Sequence, residues 1–294
     1  MSSSTSSSRH SRVVILRRRV VAVAAIGAVL VLAWAVLKAS GIVGSVDKRG
    51  AQVERIKVKS KAVARQLPVT VVLPKGASEG DPRPLLVFLH GRGADEDTFL
   101  DDAMFKAIAG LGSRAPIIAF PYGGDHSYWH DRDSGAWGRY VTNEVIPAVA
   151  RRFHTRTDRV AIGGISMGGF GAYDLARLHP RRFCAVGGHS PALWTSAALT
   201  APGAFDDARD FGRHDVIAAA RKNSTAFGSQ PVWLDAGKQD PFRSGQRAFR
   251  SALRAAGAPL TARSWPGGHD QNYWDSHWNA YLRFYADALR TCRR

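Results

Sequence analysis

Residues 84–89 read Pro-Leu-Leu-Val-Phe-Leu, apolar at every position. A strand sends alternate side chains to opposite faces, so a strand built from this run has no face left for water and must be covered on both sides. Further strand-like runs are expected at 115–120, 159–163, 183–187, 231–235 and 261–265, after an opening pair at 52–60 and 66–73. Longer amphipathic stretches at 97–109, 137–153, 168–178, 243–256 and 274–290 alternate with them and read as helices. That alternation predicts the α/β class, with about eight strands in a mostly parallel sheet flanked by helices. No internal repeat is visible. Residues 189–230 are less regular, with a helical patch near 215–221, and are expected to pass over the carboxyl edge of the sheet, where open α/β sheets place their ligands.

Composition fits a folded domain: 45% of residues are hydrophobic and 22% charged. The net charge of +17 is uneven, since the first fifty residues hold 8 basic and 1 acidic. The remaining excess is spread without long runs and lacks a readout motif, so a basic surface is expected and nucleic-acid binding is not. Only Cys184 and Cys292 are present, which excludes a disulfide-stapled scaffold and any cysteine-based zinc cluster.

The N-terminal residues speak of location. Residues 1–19 form a polar, Ser- and Arg-rich tail, and 20–37 then run for eighteen residues without a charge. As a helix that run would reach roughly 27 Å, nearly a bilayer core. Arg9, Arg12, Arg17, Arg18 and Arg19 precede it, which by the positive-inside bias predicts a cytoplasmic N-terminus and an exported remainder. A cleaved signal peptide is the competing reading, with small residues at Ala33-Trp34-Ala35, and the arginine triplet faintly resembles a twin-arginine signal. Residues 38–52 read as a linker, leaving 53–294 as the folded domain.

Gly164-Ile165-Ser166-Met167-Gly168 fits G-x-S-x-G between a strand-like run and a helical one. A sharp strand-to-helix turn exposes a serine hydroxyl and tolerates only small neighbours, while the helix N-terminus adds a positive dipole. Serine needs a base to become a nucleophile, and the base needs an orienting carboxylate. Of ten histidines, only His269 and His277 follow an acid in the chain order Ser, acid, His. His269 lies in the loop Pro266-Gly267-Gly268-His269-Asp270 after the last strand, whereas His277 sits among aromatic residues of the final helix as a packing or surface residue. The acid is either Asp240, beyond the strand end, or Asp235, at the strand's terminus. The expected oxyanion donors are the amides of Met167 and Arg92, the latter in the Leu89-His90-Gly91-Arg92-Gly93 turn, with His90 orienting that loop.

These residues are similar to the esterase branch of the α/β-hydrolase superfamily, which includes esterase D, feruloyl and acetylxylan esterases, and mycolyltransferases. The resemblance runs from about residue 55 to 289. It is carried by Val71-Val72-Leu73-Pro74, His90-Gly91, Asn143-Glu144-Val145-Ile146-Pro147, the Gly164–Gly169 segment with His179-Pro180, Gly237 to Asp240, and Gly268-His269 leading to Tyr273-Trp274. It implies a Ser166, Asp240, His269 triad, a covalent acyl-enzyme, and no metal or organic cofactor. Mycolyltransferases similar to this chain carry an Asp-Gly turn and a Glu acid where this sequence has His90-Gly91 and Asp240. That departure leans toward an exported esterase over acyl transfer to a carbohydrate or lipid acceptor. A non-catalytic envelope protein is a third reading, which the intact Ser, Asp, His order opposes.

The loop at 123–138 follows the fourth strand and borders the site. In it Tyr128 and Trp129 are candidate stacking residues for a sugar or aromatic acyl group, with His90 as a further substrate-side candidate. His126, His130, Asp131 and Asp133 have no ordered ligand spacing, so no metal is expected. Cys184, at a strand start, and Cys292, at the end of the final helix, are expected at the same non-catalytic edge, either as a disulfide suited to an oxidising exterior or as a buried thiol and a free terminal one.

Overall fold

The computed structural model describes residues 46–77, 82–223 and 226–292. The tail, the 20–37 segment and residues 38–45 of the linker lie outside the described residues, among which no helix is long and apolar enough to cross a membrane.

The chain opens with β1 (Gln52–Ser60), β2 (Arg65–Leu73) and β3 (Pro84–Leu89), followed by α1 (Asp102–Leu111) and β4 (Ile117–Pro121). A two-stranded ribbon, β5 (Asp131–Arg132) with β6 (Gly135–Ala136), precedes helix α2. This helix starts at Trp137–Arg139, widens into a π-helical stretch at Tyr140–Val145 and ends as Ile146–Phe153. Next come β7 (Arg156–Ile165), α3 (Met167–Leu178), β8 (Val186–His189), α4 (Ala208–His214), α5 (Val216–Lys222) and β9 (Val232–Gly237). The last elements are α6 (Arg243–Ala255), β10 (Leu260–Trp265), α7 (Gln271–Asp275) and α8 (Trp278–Thr291).

Eight strands form one sheet in the order β1-β2-β4-β3-β7-β8-β9-β10. β2 is antiparallel to β1 and β4, and every other pairing is parallel. The order reverses at β3, because the chain moves to β4 on one side and then returns to β7 on the other. Such a switch point leaves a crevice at the carboxyl ends of β3 and β7.

The apolar strands divide their side chains as the pleat requires. Leu85, Val87 and Leu89 of β3 join Ile162, Val186, Phe170 and Tyr173 in the core under α2, α3 and α6. Leu86 and Phe88 join Ile118, Phe120, Phe105, Trp278 and Tyr285 in a second core under α1 and α8. Both cores are buried, which is why β3 tolerates no polar residue. Helix α8 lies close against the sheet at Gly163 and Gly187, where an added Cβ would fall 1.9 and 2.0 Å from the Tyr285 hydroxyl.

Several boundaries differ from the sequence expectation. The helix expected from residue 97 starts at Asp102, because Asp95, Asp97 and Thr98 bond one another in a turn and Asp101 caps α1, its Oδ1 accepting the Met104 amide at 2.7 Å. The helix expected over 274–290 is broken in two at His277, whose Nδ1 lies 2.6 Å from the Tyr273 carbonyl. The strand expected at 183–187 is Val186–His189, although the Cys184 amide already donates to the Val160 carbonyl at 2.7 Å.

The segment after β8 is pinned from below by a buried polar clamp. His130 Nε2 meets Asp210 Oδ2 at 3.0 Å, and His214 Nδ1 meets Asp174 Oδ2 of α3 at 2.8 Å. Arg213 and Arg177 pair with Asp210 and Asp174 respectively. Burying these carboxylates is tolerable because each has a cationic partner and further donors.

Cys184 and Cys292 are bonded, with Cα atoms 5.6 Å apart and a sequence separation of 108. Closing so long a loop restricts the unfolded chain strongly, by roughly 2–5 kcal/mol for native disulfides. The Cys184→Ser/Cys292→Ser variant should therefore lose stability of about that size in urea denaturation. An unchanged midpoint and slope would show that the bond contributes nothing.

Candidate active site

β7 ends at Ile165 and α3 begins at Met167, so Ser166 alone makes the turn, with φ 56° and ψ −115°. A non-glycine residue in that region stores on the order of 1–3 kcal/mol of strain. The turn also packs unusually tightly. A Cβ on Gly168 would fall 2.0 Å from the Leu89 carbonyl oxygen, and one on Gly164 would fall 2.5 Å from the Gly168 carbonyl carbon. The two motif glycines thus let the turn press against the end of β3.

His269 reaches this turn from the loop after β10. Its Nε2 is 2.9 Å from Ser166 Oγ, and its Nδ1 is 3.0 Å from Asp240 Oδ2. The carboxylate can only accept, so Nδ1 carries the proton and Nε2 presents a lone pair to the serine. Asp240 is buried and also accepts from the Phe242 amide at 2.8 Å and from Gln246 Nε2 at 3.2 Å. The loops bearing Asp240 and His269 are stitched together, since the Gln239 amide donates to the Gly267 carbonyl and the Gly267 amide donates to Gln239 Oε1. Phe242 and Trp274 flank the imidazole, with ring centroids 5.1 and 5.3 Å away.

On the other side of Ser166 stands the turn after β3, where an added Cβ on Gly91 would come within 3.4 Å of the Ser166 Cβ. Buried His90 governs this turn. Its Nε2 accepts the Gly123 amide at 2.9 Å, so its Nδ1–H donates to the Gly91 carbonyl at 2.7 Å. That carbonyl belongs to the same peptide plane as the Arg92 N–H, so His90 orients an amide donor from behind. Burial holds the His90 pKa below its ordinary value and keeps the ring in the neutral form this bonding needs.

Tyr128 and Trp129 lie beside the site but do not form an open stacking platform. Tyr128 is 2% exposed and Trp129 is wholly buried. Trp129 instead fills the space beneath Gly123 and Gly171, and its Nε1 donates to the His90 carbonyl at 3.1 Å. Both have positive φ, a conformation that composition and spacing gave no means of foreseeing. Phe242 and Trp274, the rings against His269, remain partly open, as does Trp194, which packs edge-on against Phe242, and Arg92 in the turn after β3 is exposed.

Asp235, the competing acid, does not touch His269. Its carboxylate accepts from His189 Nδ1 and Trp233 Nε1 at 2.7 Å each, from the Tyr273 hydroxyl at 2.8 Å and from the Tyr281 hydroxyl at 2.9 Å. His277 stacks on Trp265, 4.0 Å between centroids, as a packing residue. Of the four loop residues considered for a metal, only His130 belongs to a group whose ligand atoms converge, with Asp210 and His214. Those atoms are engaged in the clamp under α4.

A serine on a strained strand-to-helix turn, at the switch point of an eight-stranded sheet, defines an α/β-hydrolase fold. Residues 60–285 match the Esterase family, described as "putative esterase", and the chain belongs to that family. It is 29% identical over 238 residues to Esterase Rv1288 of Mycobacterium tuberculosis, covering 68% of this chain and 52% of that protein. The chain thus spans about half the length of that relative. It is 26% identical to the diacylglycerol acyltransferase/mycolyltransferase Ag85A of the same species, covering 90% of each. Among solved structures, a ferulic acid esterase superposes with a TM-score of 0.73 at 23% identity, covering 81% of this chain and 98% of the other. An S-formylglutathione hydrolase from Agrobacterium tumefaciens gives 0.71 at 19% identity, covering 82% and 96%.

A carboxyl pair supports the His269 loop. Gln271 donates to Asp275 Oδ1 at 2.6 Å and to Asp101 Oδ2 at 3.3 Å. Burial, together with the neighbouring Asp275 carboxylate, pushes Asp101 from 3.8 up to about 6 against the pull of the Met104 amide. Between those two values the folded chain holds a proton that the unfolded chain has released, so this group makes stability fall as pH rises through the window. Asp101→Asn removes the titration while keeping an oxygen for the cap. Its stability relative to the parent should improve steadily from pH 4 to pH 7 in urea titrations, and a pH-independent difference would contradict the assignment.

Proposed function

We propose that the protein hydrolyses carboxylic esters through a covalent acyl-Ser166 intermediate. The observation that carries this reading is the continuous relay from Ser166 Oγ through His269 to Asp240, at 2.9 and 3.0 Å. Ser166 Oγ attacks the ester carbonyl while its proton passes to His269 Nε2. Asp240, acceptor-only and buried, stabilises the imidazolium formed and keeps its Nδ1 side fixed. The oxyanion is received by the amides of Met167, at the N-terminus of α3, and Arg92. His269 then returns the proton to the leaving alkoxide, and the acyl group passes to water by the reverse sequence. This route calls on no metal or organic cofactor.

The open rim of Trp194, Phe242, Trp274 and Arg92 supports ester substrates with a flat or polar group next to the scissile bond. The family match and the esterase relatives support hydrolysis. The extended similarity to a mycolyltransferase supports a second reading, in which a carbohydrate or lipid hydroxyl replaces water as acceptor. We further place the domain outside the cell, tethered by residues 20–37 or released after cleavage. The flanking arginines support export, and a disulfide at Cys184–Cys292 suits an oxidising compartment.

Hydrolysis of p-nitrophenyl esters from acetyl to palmitoyl tests the proposal. Ser166→Ala should lower kcat by roughly 10⁵- to 10⁶-fold, whereas an undiminished rate would refute the serine mechanism. Product that appears only with an added sugar or lipid alcohol would favour the transferase reading. His90→Gln should reduce kcat on the order of 100-fold with little change in KM, because it disturbs an amide needed in the transition state. An equal rise in KM at constant kcat would instead mark His90 as a binding residue.

A further inference from the structure

Helix α6 carries Arg243, Arg247, Arg250 and Arg254 at intervals of four, three and four residues, and contains no carboxylate. That spacing strings them along one helical face. Arg243, Arg247 and Arg250 line a groove of about 280 Å³ whose opposite side holds Lys238, after β9, and Arg263 of the edge strand β10. Among the described residues, no acidic one lines it, and the Arg243 and Arg263 guanidiniums reach only the backbone carbonyls of Lys238 and Ala262. Some arginines elsewhere do have carboxylate partners, as Arg114 has Asp287 and Arg156 has Asp158.

Like charges three and four residues apart on a helix repel each other, so the stripe disfavours the fold unless something neutralises it. Protection of an exposed sheet edge would account for Arg263 alone. It does not account for three arginines facing the groove from the helix opposite. Guanidinium forks match phosphate oxygens in pairs, and several such forks around a small hollow favour a doubly charged oxyanion over chloride.

We propose that this groove between α6 and β10 is a binding site for phosphate groups, either free in solution or carried on a lipid headgroup. It lies behind the Asp240 and His269 loops and contains none of the residues assigned to ester hydrolysis. The site would hold the domain on a phosphate-bearing surface, or respond to soluble phosphate, while the ester-cleaving crevice stays open.

The full chain would be tested with inorganic pyrophosphate by calorimetry, and with phosphatidylglycerol against phosphatidylcholine vesicles by co-sedimentation. The ratio between the two lipids removes any contribution common to both, such as insertion of apolar segments. Arg247→Gln/Arg250→Gln/Arg263→Gln should weaken binding on the order of 100-fold, while Arg65→Gln/Arg209→Gln/Arg221→Gln, with the same loss of net charge, should change it less than about 3-fold. Both variants should hydrolyse a small neutral ester at the parent rate, which reports that they are folded. Binding of pyrophosphate alone would identify a soluble phosphate as the source, and preference for phosphatidylglycerol alone would identify the headgroup. The proposal is overturned if neither ligand binds more than chloride and neutral vesicles allow, or if the two triple variants lose binding equally.

Discussion

The contact on which the rest of the molecule depends is the one between the Gly164–Gly168 turn and the Leu89 carbonyl at the end of β3. A side chain on Gly168 would overlap that carbonyl, so the turn could not close and α3 would be displaced from the sheet. Its closure does two things at once. It forces Ser166 into a strained backbone conformation that lifts the hydroxyl clear of the sheet, and it sets the turn bearing Gly91 and Arg92 directly beside it. The strain is sustained because two hydrophobic cores, one on each face, hold β3, β7 and β8 in register.

Beneath the serine lies a second framework, organised by Asp235. Four donors from four elements converge on its carboxylate, and its backbone carbonyl accepts the Ser190 amide at 2.8 Å. The His189 carbonyl in turn accepts the Ser166 amide at 3.0 Å. One buried charge therefore ties the strand next to the nucleophile to Tyr273, just after the His269 loop. A buried carboxylate is costly unless fully bonded, and this one has every lone pair occupied. Asp240, by contrast, gives one oxygen to the Phe242 amide and Gln246 and reserves the other for His269.

Much of this was legible in the sequence because it rests on strong local rules. The apolar run at 84–89 required a sheet covered on both faces, and G-x-S-x-G between a strand and a helix located the turn. Chain order reduced ten histidines to two, and loop position separated His269 from His277. Spacing alone separated Asp240 from Asp235 only weakly, since both sit near the end of one strand; the resemblance pointed to Asp240, and the long-range partners of Asp235 account for the difference. Tyr128 and Trp129 misled for a related reason. Aromatic residues in a polar loop suggest exposure, yet the missing side chains of Gly123 and Gly171 make a space that Trp129 fills from a distance in sequence. The clamp formed by His130, Asp174, Asp210 and His214 draws on three separate stretches, so no spacing within one stretch could reveal it.

The central claim is that Ser166 is the activated nucleophile of an ester-cleaving centre. Its most direct test is to treat the protein with a fluorophosphonate and map the modified peptide by mass spectrometry. The account predicts a single adduct on Ser166, formed rapidly in the parent and far more slowly in His269→Ala. An adduct on another serine, or labelling of Ser166 at the same rate without His269, would contradict it.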